Sequence, residues 1–371
     1  MLNSKSSGEF YRGKRKKVGV AVILVAILIV FVVFAAMMFY GLQKYIVVTN
    51  DGIKLDIPFI NGGASVMTQD DDGNVIIEYE PVDAELVVGE ADYSNVMATA
   101  GDGLEKFKAG FISAGNITES GVTSYVEAHE DINAIILDVK PAAGTLPYKS
   151  EVEFATAYGL NGQTELEPVI SALKEKKIYV AAQVSCLVDN GLSSHYSQMI
   201  LSTEDGSQYS DGIGTWLNPY NSDLRSYVIE ICRELASMGV DEIIFTNLKV
   251  PGADVNTYAF SASTSTPPTA ISAVSGFALD VTRALKSSNV KLSVRCDSEA
   301  ALVSGEDPAT GQNAELLFKV FDRVFCYTAI DKVGTLSDGA EKLIEVGNVD
   351  TRFVPMCTGE TPDTPSWVFV D

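Results

Sequence analysis

Histidine is almost missing from this sequence. Only His129 and His195 occur in 371 residues, and neither has a partner at metal-ligand spacing, so no metal site is expected. Cysteine is sparse too: Cys186, Cys232, Cys296, Cys326 and Cys357 form an odd set with no CxxC pair. Four of them lie inside apolar runs, whereas a disulfide framework places cysteines in the loops of a small domain. Buried free thiols are therefore expected. A Gly-rich phosphate turn is absent, since AGFISAGN after Lys108 is not GxGxxG, which counts against an open doubly wound sheet, the alternative to a closed barrel; no cofactor is expected. Positive charge is scarce: 27 Lys and Arg stand against 49 Asp and Glu, a formal charge of −22. A body so acidic repels a phosphate backbone, which argues against nucleic acid as a partner.

The basic residues present are unevenly spread. Residues 1–17 hold six of them against Glu9 alone, a local +5 that leaves −27 for the remainder. Immediately after this tail, residues 18–41 read VGVAVILVAILIVFVVFAAMMFYG, 24 positions without a charge. About 20 suffice for a spanning helix, and a cleaved signal has a shorter apolar core with a small-residue exit. The sequence thus predicts a single transmembrane helix anchored in a lipid bilayer. Because RGKRKK precedes the helix, the N-terminus is expected in the cytoplasm and the body outside it, with Tyr40 and Tyr45 at the outer interface.

Residues 42–107 carry short β-rich runs broken by Asp-Gly and Asn-Gly and are expected to form a β-rich stalk. The acidic run QDDDGN lacks the glutamate of a calcium loop, and Asp72-Gly73 between alternating runs predicts a hairpin turn. From Lys108 onward strands and helices alternate: AGFISAG, NAIILDVK, IYVAAQVSCL, DEIIFTNLKV, VKLSVRCDS, VFCYTAI and RFVPMC are seven strands, with SWVFVD as the candidate eighth. Such alternation indicates a parallel sheet, and eight units close as a (β/α)8 TIM barrel over residues 108–371.

The segments INAIILDVKPAAGTLPY, LKEKKIYVAAQVSC, TWLNPYN and GVDEIIFTNLKVPG, in this order, resemble the putative glycosyl hydrolase domain family of bacterial surface proteins. The resemblance spans about residues 108–357 and implies a distant relative of the α-amylase barrels. Members carry Asp-Tyr-x-Arg-aromatic-Pro at the end of strand four. Here that run is Thr246-Asn247-Leu248-Lys249-Val250-Pro251, so Thr246 stands where the resemblance places the nucleophilic aspartate. The family's strand-three arginine corresponds to Gln183, and the aspartate of its Trp-x-Asp-Pro turn to Asn218, while Asp138 is retained.

Alternation along the strands points Asp138, Lys140, Gln183, Thr246, Arg295 and Asp297 into the barrel mouth, with Asn247 following Thr246. Asp138–Lys140 and Arg295–Asp297 would form ion pairs there. Glycoside hydrolysis usually needs two carboxylates. With Thr246 at the nucleophile position, the catalytic candidates are Asp138, Asp297 and Glu360, the last two as an inverting pair. Carbohydrate binding needs an aromatic face and planar polar groups, which Trp216, Tyr220, Tyr258 and Tyr327 on top-face connections would supply, Trp216 foremost. Ser193-Ser194-His195 reads as loop, with no base-and-orienter arrangement of a triad. Three functions follow: a membrane-anchored barrel that binds envelope polysaccharide with weakened or lost catalysis, an active hydrolase of surface glycan, or a non-catalytic envelope scaffold. The charge of the body favours a neutral or cationic ligand over a polyanion.

Overall fold

The computed structural model describes residues 103–203, 205–252, 269–345 and 347–370, with four short strands before them. The basic tail, the apolar segment 18–41 and Tyr258 lie outside the described residues. The chain divides into two units, Met1–Gly89 and Glu90–Asp371. In the first, Ile46–Thr49 pairs antiparallel with Gly52–Leu55, and Val66–Gln69 with Val75–Glu78. The second hairpin brackets Asp72-Gly73, where the sequence predicts a turn.

The second unit is a closed eight-stranded barrel. Its strands are β1 (Lys108–Ile112), β2 (Ala134–Lys140), β3 (Tyr179–Ser185), β4 (Glu242–Thr246), β5 (Lys291–Arg295), β6 (Val324–Tyr327), β7 (Phe353–Thr358) and β8 (Trp367–Val370). All neighbours run parallel, and Val368 opposite Ala109 closes β8 onto β1. SWVFVD is thus the eighth strand. Strands buried on both faces need apolar residues in both phases, and AIILDVK supplies them. Ile135, Leu137 and Val139 join the outer core beneath the helices, while Ala134 and Ile136 join an inner cluster with Ala109, Ala181, Ile244, Phe325 and Val354. Small alanines beside bulky rings allow this inner layer to interdigitate without voids.

Six helices of seven residues or more pack outside: α1 (Glu119–Ala128), α2 (Leu166–Glu175), α3 (Ser222–Ser237), α4 (Ala270–Leu285), α5 (Ala314–Val320) and α6 (Val333–Leu343). The side chain of Asn221 caps α3 by accepting from the Leu224 amide at 2.9 Å. Along α3 the buried residues Leu224, Tyr227, Val228, Ile231, Cys232 and Leu235 recur at helical spacing and make one apolar stripe. All five cysteines are free and buried.

The N-terminal end of the barrel is plugged. Arg323 pairs with Glu242, whose Oε2 also accepts from the Tyr179 hydroxyl at 2.9 Å, and the guanidinium lies 5.1 Å from the Phe107 ring centroid. Burial pushes the Glu242 carboxyl up, and Arg323 opposes the shift. At the other end, one irregularity matters. In β2 the register slips between Asp138, opposite Gln183, and Lys140, opposite Val184. A bulge adds a residue and reverses the alternation beyond it. Asp138 keeps its inward phase, and Lys140 loses it.

Candidate functional site

The C-terminal ends of β2–β5 bring together Asp138, Gln183, Thr246, Arg295 and Asp297. Asp138 is half-buried, and its Oδ1 accepts from Gln183 Nε2 at 3.0 Å. Desolvation raises its carboxyl above the usual range, although the Gln183 hydrogen bond and the charges of Arg295 and Lys140 pull it down. Thr246 ends β4 with 1% of its surface exposed. Asn247 follows at φ 50°, in the left-handed region that asparagine tolerates better than most residues, which turns the chain sharply out of the strand. Its Nδ2 donates to Ser185 Oγ at 2.9 Å, which in turn donates to Val188 O at 2.7 Å, so the ends of β3 and β4 are tied together.

Asp297, just past β5, is held by two cations. Arg295 Nε lies 2.6 Å from Oδ1, the pair suggested by alternation, and Lys249 Nζ lies 3.5 Å from Oδ2. Its backbone is fixed by Gln312, a fully buried residue to which sequence reasoning gave no role. Gln312 Oε1 accepts from the amides of Asp297 (2.8 Å) and Ser298 (2.9 Å). Gln312 Nε2 donates to Leu248 O (3.2 Å) and Arg295 O (3.3 Å). One amide thus joins the β4 loop to the β5 end. Gln312 sits on a two-residue ladder, Glu306–Asp307 with Gln312–Asn313, and no sequence pattern marks it.

On the β6–β7 side, Tyr327 is 51% exposed and its hydroxyl hydrogen-bonds to that of Thr358. Both line an open cleft of about 540 Å³ with Glu299, Thr328 and Glu360. Glu299 is engaged, accepting from Lys332 Nζ at 2.7 Å and Thr328 Oγ1 at 2.8 Å, and these bonds lower its carboxyl. Glu360 is exposed and in no ion pair among the described residues.

Two expected site residues lie elsewhere. Lys140 is wholly buried behind the bulge, its Nζ 2.7 Å from Asp189 Oδ2 and 2.9 Å from Ser185 O, so the expected Asp138–Lys140 pair is replaced by Lys140–Asp189. Trp216 is only 1% exposed and packs in the outer core, bridged through its backbone to Val188. Its ring faces are covered and offer no stacking platform. An indole in a long, polar loop reads as exposed because the loop's inward fold against β3 leaves no periodic trace. Among the described residues, Tyr327 and Tyr220 are the expected aromatics that stay exposed, at 51% and 41%.

The sequence model of a family described as "Putative glycosyl hydrolase domain" matches residues 111–327. Among solved structures, the chain is similar to the PgaB (BpsB) glycoside hydrolase domain from Bordetella bronchiseptica, at 12% identity and a TM-score of 0.53. That likeness covers 71% of this chain and 93% of that one. It is also similar to a hypothetical protein from Ruminiclostridium thermocellum ATCC 27405, at 24% identity and a TM-score of 0.44 over 50% of this chain and 95% of that one. The first likeness bears on the fold. No curated protein matches the sequence.

Proposed function

Because the chain belongs to the "Putative glycosyl hydrolase domain" family, we propose that its barrel binds a cell-envelope polysaccharide with hydrolysis weakened or lost. One observation carries this reading: the end of β4 presents the buried hydroxyl of Thr246 where the family resemblance calls for a carboxylate. A free alcohol without an adjacent base is a poor nucleophile. The other carboxylates do not replace it simply, since Asp297 is held between Arg295 and Lys249 and Glu360 stands exposed beside Tyr327. Binding asks less. Asp138, Gln183, Asn247 and Arg295 offer planar hydrogen-bonding groups, and Tyr327 offers an aromatic face.

The apolar run 18–41 supports a single-pass anchor with this unit on the extracytoplasmic side. Among the described residues, no helix is long and apolar enough to cross a membrane. A second reading is favoured by Asp138, because a carboxyl raised by burial suits a general acid, as residual hydrolysis would require. A glycan array probed with the full chain tests the first reading. Binding to a neutral or amine-bearing polysaccharide, weakened about tenfold by Tyr327→Ala, is expected. Absence of binding to any glycan leaves an envelope scaffold.

A further inference from the structure

Donors and acceptors do not balance at the β4–β5 corner of the mouth. The Asp297 side chain is only 10% exposed, and each of its oxygens faces a different cation. Oδ1 accepts from Arg295 Nε at 2.6 Å. Oδ2 is shielded from solvent and accepts no hydrogen bond, since Lys249 Nζ at 3.5 Å attracts it without bonding to it. The two cations are themselves only partly engaged. Among the described residues, Arg295 donates from its side chain through Nε alone, and Lys249 Nζ has no partner besides Asp297. Their side chains are 21% and 17% exposed, so a ligand in the mouth can reach both. The Gln312 amide fixes the backbone of Leu248, Arg295 and Asp297, so the imbalance belongs to a rigid corner.

On the reading that the mouth binds a polysaccharide, we infer that Asp297 and Lys249 clamp one neutral sugar hydroxyl, with Arg295 donating to a neighbouring one. A buried carboxylate oxygen without a donor is costly, and the partner that removes the cost must donate to Oδ2. Beside it stand N–H groups in need of an acceptor. A hydroxyl does both, so one placed between Oδ2 and Nζ satisfies the two together. An ammonium donates but cannot accept, and it would stand against two cations. A carboxylate accepts but cannot donate, so it would leave Oδ2 unpaired and repel it. The corner therefore selects a neutral sugar over an amino sugar or a uronic acid at this position. Asp297 is then a binding group, and Lys249 gains a role in specificity.

An array of neutral hexose oligomers, glucosamine oligomers and galacturonate oligomers, probed with the full chain, tests the clamp. The neutral set is expected to be held about tenfold more tightly than either charged set. Lys249→Met changes a side chain that no hydrogen bond holds, so it should fold as the parent does and weaken neutral oligomers about tenfold. Lys249→Arg keeps a donor and should retain most of the binding. Asp297→Asn presents a donor where Oδ2 accepted and should lose about as much as Lys249→Met. Because one hydroxyl touches both groups, the double variant should lose little more than either single one. Additive losses, amine- or uronate-bearing oligomers held as tightly as neutral ones, or undiminished binding by Lys249→Met would each overturn the clamp and leave glycan binding standing. No binding of any oligomer by the parent chain would overturn the glycan reading and the clamp together.

Discussion

Asp138 and Gln312 show how single side chains set the chemistry of the mouth. Burial raises the Asp138 carboxyl above its unfolded value, so the fold favours the protonated form. Its contribution is present below the unfolded pKa and is lost as pH rises through the raised folded pKa. Asp138→Asn stays neutral and keeps an oxygen for Gln183. The variant should therefore unfold at a higher temperature than the parent at pH 8, with the difference vanishing near pH 4. A larger difference at acid pH contradicts the assignment of burial as the dominant cause. Gln312→Leu has the opposite character. It strands two amides and two carbonyls at the β4–β5 junction, and leaving buried polar groups unpaired costs about 1–3 kcal/mol each where water cannot enter. Chemical denaturation of Gln312→Leu should show a loss of about 2–4 kcal/mol, and a loss under about 0.5 kcal/mol would mean that the clamp is slack.

Elements were legible where periodicity was regular. All eight barrel strands follow from short apolar runs separated by helical segments, and the inward phase of Asp138, Gln183, Thr246 and Arg295 follows from strand period. The phase failed at one residue, Lys140, because a bulge is a register event between two strands and has no signature within either. The consequence is a buried ion pair beneath the β3 loop. Lys140 and Asp189 are both fully buried, and Asp189 Oδ1 also accepts from the Leu192 amide at 2.7 Å. Gly144, at φ 83°, leaves the room for it, since a β-carbon there would come within 2.0 Å of Asp189 Oδ1. Breaking a buried pair from one side costs about 3–5 kcal/mol, so Lys140→Met should be severely destabilised in thermal unfolding. Adding Asp189→Asn should restore part of the loss, because the amide oxygen still caps Leu192 and no buried charge is left unpaired. A double variant no better than Lys140→Met would show that the pair is not the origin of the effect.

At the scale of the whole molecule, the barrel has a sealed end and an open one. Arg323, Glu242 and Tyr179 close the N-terminal mouth with paired groups, which is the pattern of a stability plug. The opposite mouth gathers polar groups from four successive strands and an exposed tyrosine. Family membership was legible from the motifs around strands two to four. The aromatic platform was not, because burial of Trp216 depends on how a long connection folds back over the barrel. Thr246→Asp is the substitution that bears on catalysis itself, since on the proposed reading it supplies the missing carboxylate at the end of β4, where Thr246 stands in register with Ser185. Release of reducing ends from purified envelope polysaccharide, measured for the full chain and for Thr246→Asp, tests the account most directly. The account predicts no release above background by the parent chain, with glycan binding retained, and measurable release only after the carboxylate is restored. Robust release by the unmodified chain, abolished by Asp297→Asn or Glu360→Gln, would contradict it and mark the protein as an active hydrolase using those carboxylates.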